Sequence, residues 1–259
     1  MTTDRLKGKR IIIFGSATGI GAATVLRLAA EGARVCAADI NIEGAKAVAA
    51  EAGGEAFAVF ADIADEASVN DAVRVAVEKF GGLDGAHINA ADLRVIMEDS
   101  DAVEVELATF DRTIAVNLRG HLLCTRAVLP HLTKNEASAI VYTSSGSAHG
   151  GEPTRPCYAM AKAGVNALMR HVASRWGKEG VTANVLAPGF TVTGEMKAQM
   201  EKDAAGAKQW ADYFMARTPH TRLGESEDHA AVAALLLSDD GRWINGAIFD
   251  VNGGSLMRA

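Results

Sequence analysis

Short apolar runs alternate with longer helical patterns along the whole chain, and this alternation restricts the possible fold more than any other feature. Several of the runs are rich in Val and Ile and bounded by Gly or Asp, which is typical of buried parallel strands. Seven strands are predicted: Arg10–Phe14, Arg34–Asp39, Ala56–Phe60, Ala86–Asn89, Ala139–Thr143, Val181–Leu186 and Ala247–Val251. Six helices are predicted between them: Ile20–Glu31, Ile42–Ala52, Glu66–Phe80, Thr109–Leu132, Tyr158–Lys178 and Glu225–Leu237.

Strands separated by helices predict an α/β protein with a doubly wound parallel sheet, because right-handed crossovers place helices on both faces. The alternation never changes to a second pattern over the 259 residues, and no Pro-, Gly- or Ser-rich linker interrupts it. We therefore expect a seven-stranded parallel sheet with helices on both faces, within one domain that spans residues 1–259.

The segment Phe190–Leu223 departs from the alternation. It contains two amphipathic helical stretches and no predicted strand, and its apolar residues include Met196, Met200, Trp210, Tyr213 and Phe214. We interpret the segment as a substrate lid at about residues 190–223, since an apolar lid excludes water from a reacting site. Packing against a neighbouring subunit explains the same residues equally well, and the two roles can coexist.

The composition excludes several classes of protein. Hydrophobic residues make up 49% and charged residues 22% of the chain, which rules out a disordered protein. The net charge of -6 argues against a nucleic-acid partner, which requires clustered Lys and Arg. No run approaches about 18 apolar residues, so no membrane span is expected, and the polar N-terminal stretch does not resemble a secretory signal. Three widely spaced cysteines (Cys36, Cys124, Cys157) indicate reduced thiols and a cytoplasmic location.

A glycine-rich turn, Gly15-Ser-Ala-Thr-Gly-Ile-Gly21, lies between the first predicted strand and the first predicted helix. Glycines allow a tight turn and a close approach of backbone N–H groups to a pyrophosphate, which the helix N-terminus stabilises. Glycines also mark ordinary turns, but the strand–turn–helix context favours dinucleotide binding in a Rossmann-type fold. The expected cofactor contacts in the turn are Gly15, Ser16, Thr18, Gly19, Ile20 and Gly21.

An acidic residue ends the second predicted strand. Asp39 lies 18 residues after Gly21, where a carboxylate accepts hydrogen bonds from the adenosine ribose and repels the additional phosphate of NADP. Ile40 and Asn41 are neutral, and Arg34 lies about 16 Å back along the strand, too far to bind that phosphate. A solvated acid that caps the next helix is the alternative interpretation of Asp39. In combination with the glycine turn, Asp39 predicts NAD(H) as the cofactor.

Tyr158 and Lys162 lie at the start of a predicted helix, and their i, i+4 spacing places both on one face. For Tyr158 to act as a base at neutral pH, its pKa must fall by about 3 from the reference value near 10, which requires roughly 4 kcal/mol. A partly desolvated ammonium group beside the phenolate can supply this stabilisation. Ser144 and Ser145 end the fifth strand, at the edge where doubly wound sheets bind ligands. One Tyr–Lys pair alone is usually a surface contact, but here the pair, the serines and the glycine turn map to one sheet edge.

With these motifs in this order, the chain resembles the short-chain dehydrogenase/reductase family, in its single-domain branch, from Gly15 to Gly254. The spacing is specific, since Ser145 precedes Tyr158 by 13 residues. The matching motifs are Gly-xxx-Gly-x-Gly at 15–21, Asp62-Ile63, Asn89-Ala90, Asn117, Ser145, Tyr-xxx-Lys at 158–162, Pro188-Gly189, Thr193 and the closing stretch 244–254.

The resemblance implies four catalytic residues. Tyr158 would be the general acid/base, and Lys162 would lower the pKa of Tyr158 and bind the nicotinamide ribose. Ser145 would hydrogen-bond the substrate oxygen, and Asn117 would hold a water molecule that links Lys162 to solvent as a proton relay.

The resemblance also implies further cofactor contacts. Asp62 and Ile63 would contact the adenine, and Asn89 and Ala90 would border the ribose. The nicotinamide carboxamide would be oriented by Pro188, Gly189 and Thr193, and Thr191 would be a further contact.

Three residues near the glycine turn depart from the family pattern. Phe14 stands where the family usually has Thr, Ile88 replaces the first Asn of Asn-Asn-Ala-Gly, and Ala91 replaces its Gly. The joint loss of two polar groups indicates that apolar contacts replace a structural hydrogen bond. A methyl group at Ala91 narrows the space beside the cofactor and would be costly if φ were positive there.

The remaining candidate residues are weaker evidence for a function. His149, Glu152 and Cys157 lie near the serines and are interpreted as solvated or packing residues, with a substrate contact by His149 as the alternative. No Gly-x-Ser-x-Gly, Cys-x-x-Cys or His-Glu-x-x-His motif occurs, so neither a hydrolase nor a metal site is expected.

These observations predict an NAD(H)-dependent oxidoreductase that interconverts a secondary alcohol and a ketone by hydride transfer, with a small, hydrophobic substrate. The alternative is a catalytically idle NAD(H)-binding protein that senses redox state or scaffolds partners. The last strand is an expected sheet edge, which proteins usually cover. In the family, that edge and the two long helices build an oligomer, so the resemblance implies a homotetramer.

Overall fold

The computed structural model describes residues 4–194, 196, 202 and 204–258. Its strands are β1 Arg10–Phe14, β2 Arg34–Asp39, β3 Phe57–Phe60, β4 Gly85–Ile88, β5 Ser138–Thr143, β6 Val181–Pro188, β7 Thr191–Val192, β8 Gly224–Glu225 and β9 Ile248–Val251. Its α-helices are α1 Gly19–Ala30, α2 Ile42–Ala52, α3 Glu66–Phe80, α4 Leu107–Ile114, α5 His121–Leu132, α6 Pro156–Trp176, α7 Ala204–Met215 and α8 Ser226–Leu237.

Seven strands form one parallel sheet in the order β3-β2-β1-β4-β5-β6-β9. The strand order reverses between β1 and β4, which opens a crevice at the carboxyl ends of these two strands. The predicted doubly wound, Rossmann-type fold is confirmed, and β9 is an edge strand as expected.

Helices cover both faces of the sheet. Strand residues that point to either face are therefore apolar and buried. Ile12 and Phe14 of β1 pack with side chains of α3, α5 and α6 on one face. Ile11 and Ile13 pack with side chains of α1, α2 and α8 on the other. Continuous apolar runs are therefore the pattern that a sheet buried on both sides requires, and the carboxyl edge is left for polar residues.

The predicted helix Thr109–Leu132 is interrupted. Residues Ala115–Gly120 form a π-helical turn between α4 and α5. An extra residue in a helical turn is compatible with the same apolar spacing on either side, so the pattern did not reveal it. The other predicted boundaries differ from the observed ones by at most two residues, which is the usual variation at frayed ends.

The segment Phe190–Leu223 is partly as predicted. Its second helical stretch is α7, which carries Trp210 and Phe214. The prediction that it lacks a strand is wrong, because β7 pairs in parallel with β8 in a two-stranded sheet. Two-residue strands are too short to show a periodic pattern. Met196 is described, whereas Met200 lies outside the described residues.

None of the helices among the described residues has the length and apolar character needed to cross a bilayer.

Candidate active site

The glycine turn joins β1 to α1 at the crevice. Gly15 has a φ of +81°, and a Cβ placed there would lie 2.4 Å from the Cα of Ala90. A Cβ on Gly21 would lie 1.8 Å from the carbonyl oxygen of Gly15. Only glycine fits at these two positions, so the turn folds tightly back on the loop after β4.

The N-terminus of α1 leaves backbone donors for an anion. Thr18 occupies the N-cap position, and in the part of the chain that the structure describes its side chain makes no capping hydrogen bond. Ser16 is buried, and its hydroxyl donates to the carbonyl oxygen of Ala38 at 3.1 Å, so only its backbone faces the turn. Uncapped N–H groups and the positive end of the helix dipole fit a pyrophosphate. Ile20 follows in the first helical turn, and Gly19 has a φ of +56° and would contact Thr193 if it carried a Cβ.

Asp39 lies at the carboxyl end of β2, beside this turn. Its Oδ2 accepts a hydrogen bond of 2.8 Å from the backbone N–H of Ala17, and its Oδ1 accepts one of 2.8 Å from Asn41. The carboxylate is partly exposed, so each oxygen keeps a lone pair for a hydroxyl group from outside. Asn41, rather than Asp39, caps α2 by accepting from the N–H of Gly44. Arg34 is bound to Glu55 at the other end of the strand, as its position in the sequence predicts.

A chain of hydrogen bonds ties the glycine turn to β5. Asn89 donates from Nδ2 to the carbonyl oxygen of Gly15 at 2.8 Å, and its Oδ1 accepts from the Thr143 hydroxyl at 2.9 Å. Because that hydroxyl proton is used, the buried His87 Nε2, 2.9 Å away, donates to Thr143. Burial lowers the pKa of His87 to about 3, so its ring is neutral. Thr143 was not predicted from the sequence, although its position at the carboxyl end of β5 could have identified it.

The three departures around the turn have a structural explanation. Phe14 and Ile88 are direct register partners on β1 and β4, and both are fully buried in the same apolar cluster. Apolar packing replaces two polar groups there, as expected. Ala91 carries no strain, since Arg155 is the only non-glycine residue with positive φ among those that the structure describes.

The expected adenine contacts lie after β3. Asp62 caps the next turn by accepting from the N–H of Ala64 at 2.9 Å, and its own N–H donates to Ser68. Ile63 is 4% exposed and packs closely against Gly120 in the π-helical turn. Ile63 therefore links this part of the crevice to the helix that carries Asn117.

Ser145, Tyr158 and Lys162 meet at the carboxyl end of β5. The Ser145 hydroxyl lies close enough to the Tyr158 phenol to favour its charged form, and it accepts from the N–H of Ser147 at 3.2 Å. Lys162 is 1% exposed, and its Nζ lies 5.7 Å from the centre of the Tyr158 ring. The structure thus brings these three residues together, whereas Ser144 points inward and donates to the carbonyl oxygen of Lys162.

The pKa directions of this pair are set mainly by burial, and the expected lowering of the Tyr158 pKa by Lys162 stays a prediction. Burial raises the pKa of Tyr158, and the nearby Ser145 hydroxyl and the charge of Arg155 only partly oppose it. Burial also lowers the pKa of Lys162 to about 7. The Lys162 ammonium donates to the carbonyl oxygen of Thr143 at 2.9 Å instead of to the phenol. Desolvation is therefore the largest influence on the pKa of each group in this arrangement.

Asn117 lies in the π-helical turn and is completely buried. Its Oδ1 accepts from the backbone N–H of Asp92 at 2.8 Å, and its Nδ2 contacts the Asp92 carbonyl oxygen at 3.4 Å. The Asp92 carboxylate in turn binds Arg94 and Arg112, and their hydrogen bonds lower its pKa to about 2. The distortion of the helix thus presents the Asn117 amide to the loop after β4.

The loop after β6 closes the crevice. Pro188 ends the strand, Gly189 leaves no room for a Cβ beside Asn252, and the Thr191 hydroxyl is 2.8 Å from Nε2 of the buried His229. Thr193 accepts from the N–H of Met196. His229 was not singled out in the sequence, where an isolated histidine in an apolar helix gives no signal.

Aromatic side chains from α7 lie over this loop. Phe190 and Phe214 stack with ring centres 3.6 Å apart, and Trp210 contacts both. Trp210 and Tyr213 remain about half exposed, at 52% each. The aromatic cluster (Phe190, Trp210, Tyr213, Phe214) presents an apolar surface next to the expected nicotinamide position.

The other candidates are structural in this arrangement. Glu152 binds Arg155 and accepts from Ser147, and His149 contacts Asn166 at 3.0 Å. Cys157 is buried, and desolvation raises the pKa of its thiol to about 11, so it is no nucleophile at neutral pH. Among the described residues there is no cluster of potential metal ligands.

Comparisons with known proteins agree with this geometry. A family model described as enoyl-(acyl carrier protein) reductase matches residues 15–255. Levodione reductase of Leifsonia aquatica is 33% identical over 258 residues, covering 97% of this chain and 96% of that protein. The chain belongs to the short-chain dehydrogenase/reductase family. A second relative, 2,5-dichloro-2,5-cyclohexadiene-1,4-diol dehydrogenase of Sphingobium indicum, is 36% identical over 96% of this chain and 97% of that protein.

Solved structures of the short-chain dehydrogenase/reductase family superpose along nearly the whole chain. A 3-ketoacyl-(acyl-carrier-protein) reductase from Brucella melitensis, complexed with NADH, has a TM-score of 0.86 and 32% identity over 97% of this chain and 100% of its own. A short-chain dehydrogenase from Burkholderia cenocepacia, in complex with NADP, has a TM-score of 0.85 and 34% identity over 97% of this chain and 99% of its own. Members of the family with this degree of similarity thus bind nicotinamide nucleotides of both kinds.

Proposed function

We propose that this short-chain dehydrogenase/reductase is an NAD(H)-dependent oxidoreductase that interconverts a secondary alcohol and a ketone. The observation that carries the proposal is the meeting of Tyr158, Ser145 and Lys162 at the same sheet edge as the glycine turn and Asp39. NAD(H), when bound, supplies the hydride acceptor or donor.

The side chains of this chain handle the proton. Tyr158 takes the hydroxyl proton of the alcohol as the ketone forms and returns it in the reverse direction. Ser145, which lies beside the phenol, holds the substrate oxygen next to it. Lys162, whose Nζ lies 5.7 Å from the centre of the Tyr158 ring, stabilises the phenolate that forms, since a cation favours a nearby anion in a desolvated site. Asn117 supports the path along which the proton leaves toward solvent.

Asp39 selects NAD(H). Its carboxylate lies at the ribose end of the glycine turn with a lone pair free on each oxygen, and a phosphate group in its place would meet a negative charge. Because family members with similar sequences bind either nucleotide, this preference depends on residues of this chain, above all on Asp39.

The substrate is small and apolar. The aromatic cluster is half exposed beside the loop after β6, where it can cover an apolar molecule and exclude water from the reacting carbon. The names of two relatives refer to a levodione and to a chlorinated cyclohexadiene diol, which suggests a cyclic alcohol or ketone for this chain as well.

The chain works as one domain and assembles as a homotetramer. Large apolar side chains are exposed on α4, on α6 and on the connection to β9, including Leu107 at 76%, Met160 at 51% and Trp243 at 98%. Exposed apolar residues of this size are typical of surfaces that a partner covers. The mass from light scattering should equal four chains of 27.0 kDa, and a monomer would contradict the assembly.

A panel of secondary alcohols with NAD, followed by NADH absorbance, tests the proposed function. The panel contains open-chain, monocyclic and polycyclic alcohols, and the same alcohols with NADP serve as the cofactor control. We expect turnover of cyclic alcohols with NAD and much slower turnover with NADP. Binding of NADH without turnover of any alcohol or ketone would indicate a redox sensor or scaffold instead.

A further inference from the structure

A buried carboxylate from a distant loop caps the helix that carries Tyr158. Asp99 lies in the loop between β4 and α4 and is 2% exposed. Its Oδ1 accepts from the backbone N–H of Cys157 at 3.2 Å, and its Oδ2 accepts from that of Tyr158 at 2.8 Å. Both oxygens thus bind N–H groups in the first turn of α6, where the positive end of the helix dipole stabilises a carboxylate.

The residue that precedes α6 cannot serve as its cap. Arg155 occupies the N-cap position in a left-handed conformation, with φ +67° and ψ +46°, and its side chain makes no capping hydrogen bond. Its backbone N–H donates instead to the carbonyl oxygens of Asp99 at 3.0 Å and Ser100 at 3.1 Å. The loop therefore fixes the start of α6 through two kinds of contact, its backbone carbonyl groups and the Asp99 carboxylate.

The same loop also contacts Asn117 at its other end. The backbone N–H of Asp92 donates to the Asn117 amide, seven residues before Asp99 along the chain. Residues 92–99 thus extend from Asn117 in the π-helical turn to Tyr158 in α6. A displacement of this loop would change the relative positions of both residues.

We infer that Asp99 is a positioning residue that holds Tyr158 in the place where its hydroxyl meets Ser145 and the substrate oxygen. Tyr158 is the third residue of α6, so the first turn of the helix sets the position of its backbone. Without the two hydrogen bonds, this turn has no side-chain cap and frays readily. The inference rests on the proposed role of Tyr158 as the acid/base.

Three variants test the inference, with Asp101→Asn as the matched control. Asp101 lies two residues further along the same loop, is exposed, and caps only its own loop by accepting from Val103 and Glu104. Asp99→Ala removes both acceptors, and Asp99→Asn keeps one. We expect kcat, per NADH-binding site, to fall at least about tenfold in Asp99→Ala and about threefold in Asp99→Asn, because small displacements of a catalytic group are costly.

Comparing the change in kcat with the change in the Kd for NADH distinguishes a positioning role of Asp99 from general damage to the fold. The Kd for NADH should stay within about twofold of wild type in both Asp99 variants, since the carboxylate is not among the expected cofactor contacts. Asp101→Asn should keep both values. A wild-type kcat in Asp99→Ala, or in Asp99→Asn if the alanine variant does not fold, would overturn the inference. An equal loss of NADH binding and kcat would overturn it as well.

Hydrogen exchange and Tyr158→Phe distinguish this inference from the proposed function. Peptides covering 157–162 should exchange faster in Asp99→Ala than in wild type, while peptides from α1 stay unchanged, and this readout needs no substrate. Unchanged exchange in 157–162 would overturn the inference. If Tyr158→Phe retains turnover, the proposed acid/base is wrong. If Tyr158→Phe is inactive while Asp99→Ala has a wild-type kcat, only the role of Asp99 is wrong.

Discussion

Replacing Gly15 by Ala should damage both stability and NADH binding by an amount that the structure sets. The new Cβ would lie 2.4 Å from the Cα and 2.6 Å from the N of Ala90, so the turn and the loop must separate by about 1 Å to reach ordinary contact. Overpacking of this kind costs about 1–3 kcal/mol. The left-handed φ of +81° adds about 1–2 kcal/mol for a residue with a Cβ. We expect unfolding in urea to show a total loss of about 2–5 kcal/mol.

The separation also weakens the cofactor site. A shift of the turn by about 1 Å removes at least one backbone hydrogen bond to a phosphate, a charge-assisted bond worth about 1.5–3 kcal/mol. The Kd for NADH, measured by fluorescence titration, should therefore rise about 10- to 150-fold.

Gly81→Ala is the matched control. Gly81 has nearly the same φ, +79°, and no heavy atom within 4 Å of an added Cβ. It should lose only the conformational part, about 1–2 kcal/mol, and bind NADH as wild type does. If both variants lose the same stability and Gly15→Ala still binds NADH normally, the tight packing of the turn against Ala90 does not shape the cofactor site.

The remaining predictions concern the cofactor, the acid/base and the lid. Asp39→Ala should weaken NADH about tenfold or more and NADPH much less, since charge-assisted bonds to the ribose are lost; equal losses for both nucleotides would contradict its selective role. Because burial raises the pKa of Tyr158 and alcohol oxidation needs its phenolate, the oxidation rate should rise with pH through the alkaline range and ketone reduction should fall there. A flat profile in both directions would show that another group carries the proton. Trp210→Ala should raise KM for an apolar alcohol roughly 2- to 10-fold through lost aromatic contact, with the Kd for NADH unchanged; an unchanged KM would remove Trp210 from the substrate surface.

The fold was predictable because a sheet covered by helices on both faces requires a recognisable sequence pattern. Strands buried on both faces require apolar residues at every position, so β1 and β5 stand out as short runs, and the family motifs lie where these strands end. What the pattern did not reveal is short or irregular. The two-residue strands β7 and β8 carry no period, and the π-helical turn at Asn117 keeps the apolar spacing of the helix around it.

The chemistry-bearing residues of the site were predictable from type and spacing, but their supports were not. Asp99 caps a helix 59 residues further along the chain, and His229 bonds a threonine 38 residues before it. Such contacts depend on how the chain folds back, and neither residue belongs to a local motif. The direction of the Tyr158 pKa also required the structure, because the spacing to Lys162 gives no information on the burial that raises it.

Comparison of wild type with Tyr158→Phe tests the central claim most directly. The substitution removes only the phenol hydroxyl and keeps the ring beside Lys162. With a secondary alcohol that wild type oxidises, NADH formation should fall about 100- to 10,000-fold, which is the usual contribution of a general acid/base. The Kd for NADH should stay within about twofold of wild type. Turnover by Tyr158→Phe at the wild-type rate would contradict the assignment of this site as the centre of the reaction.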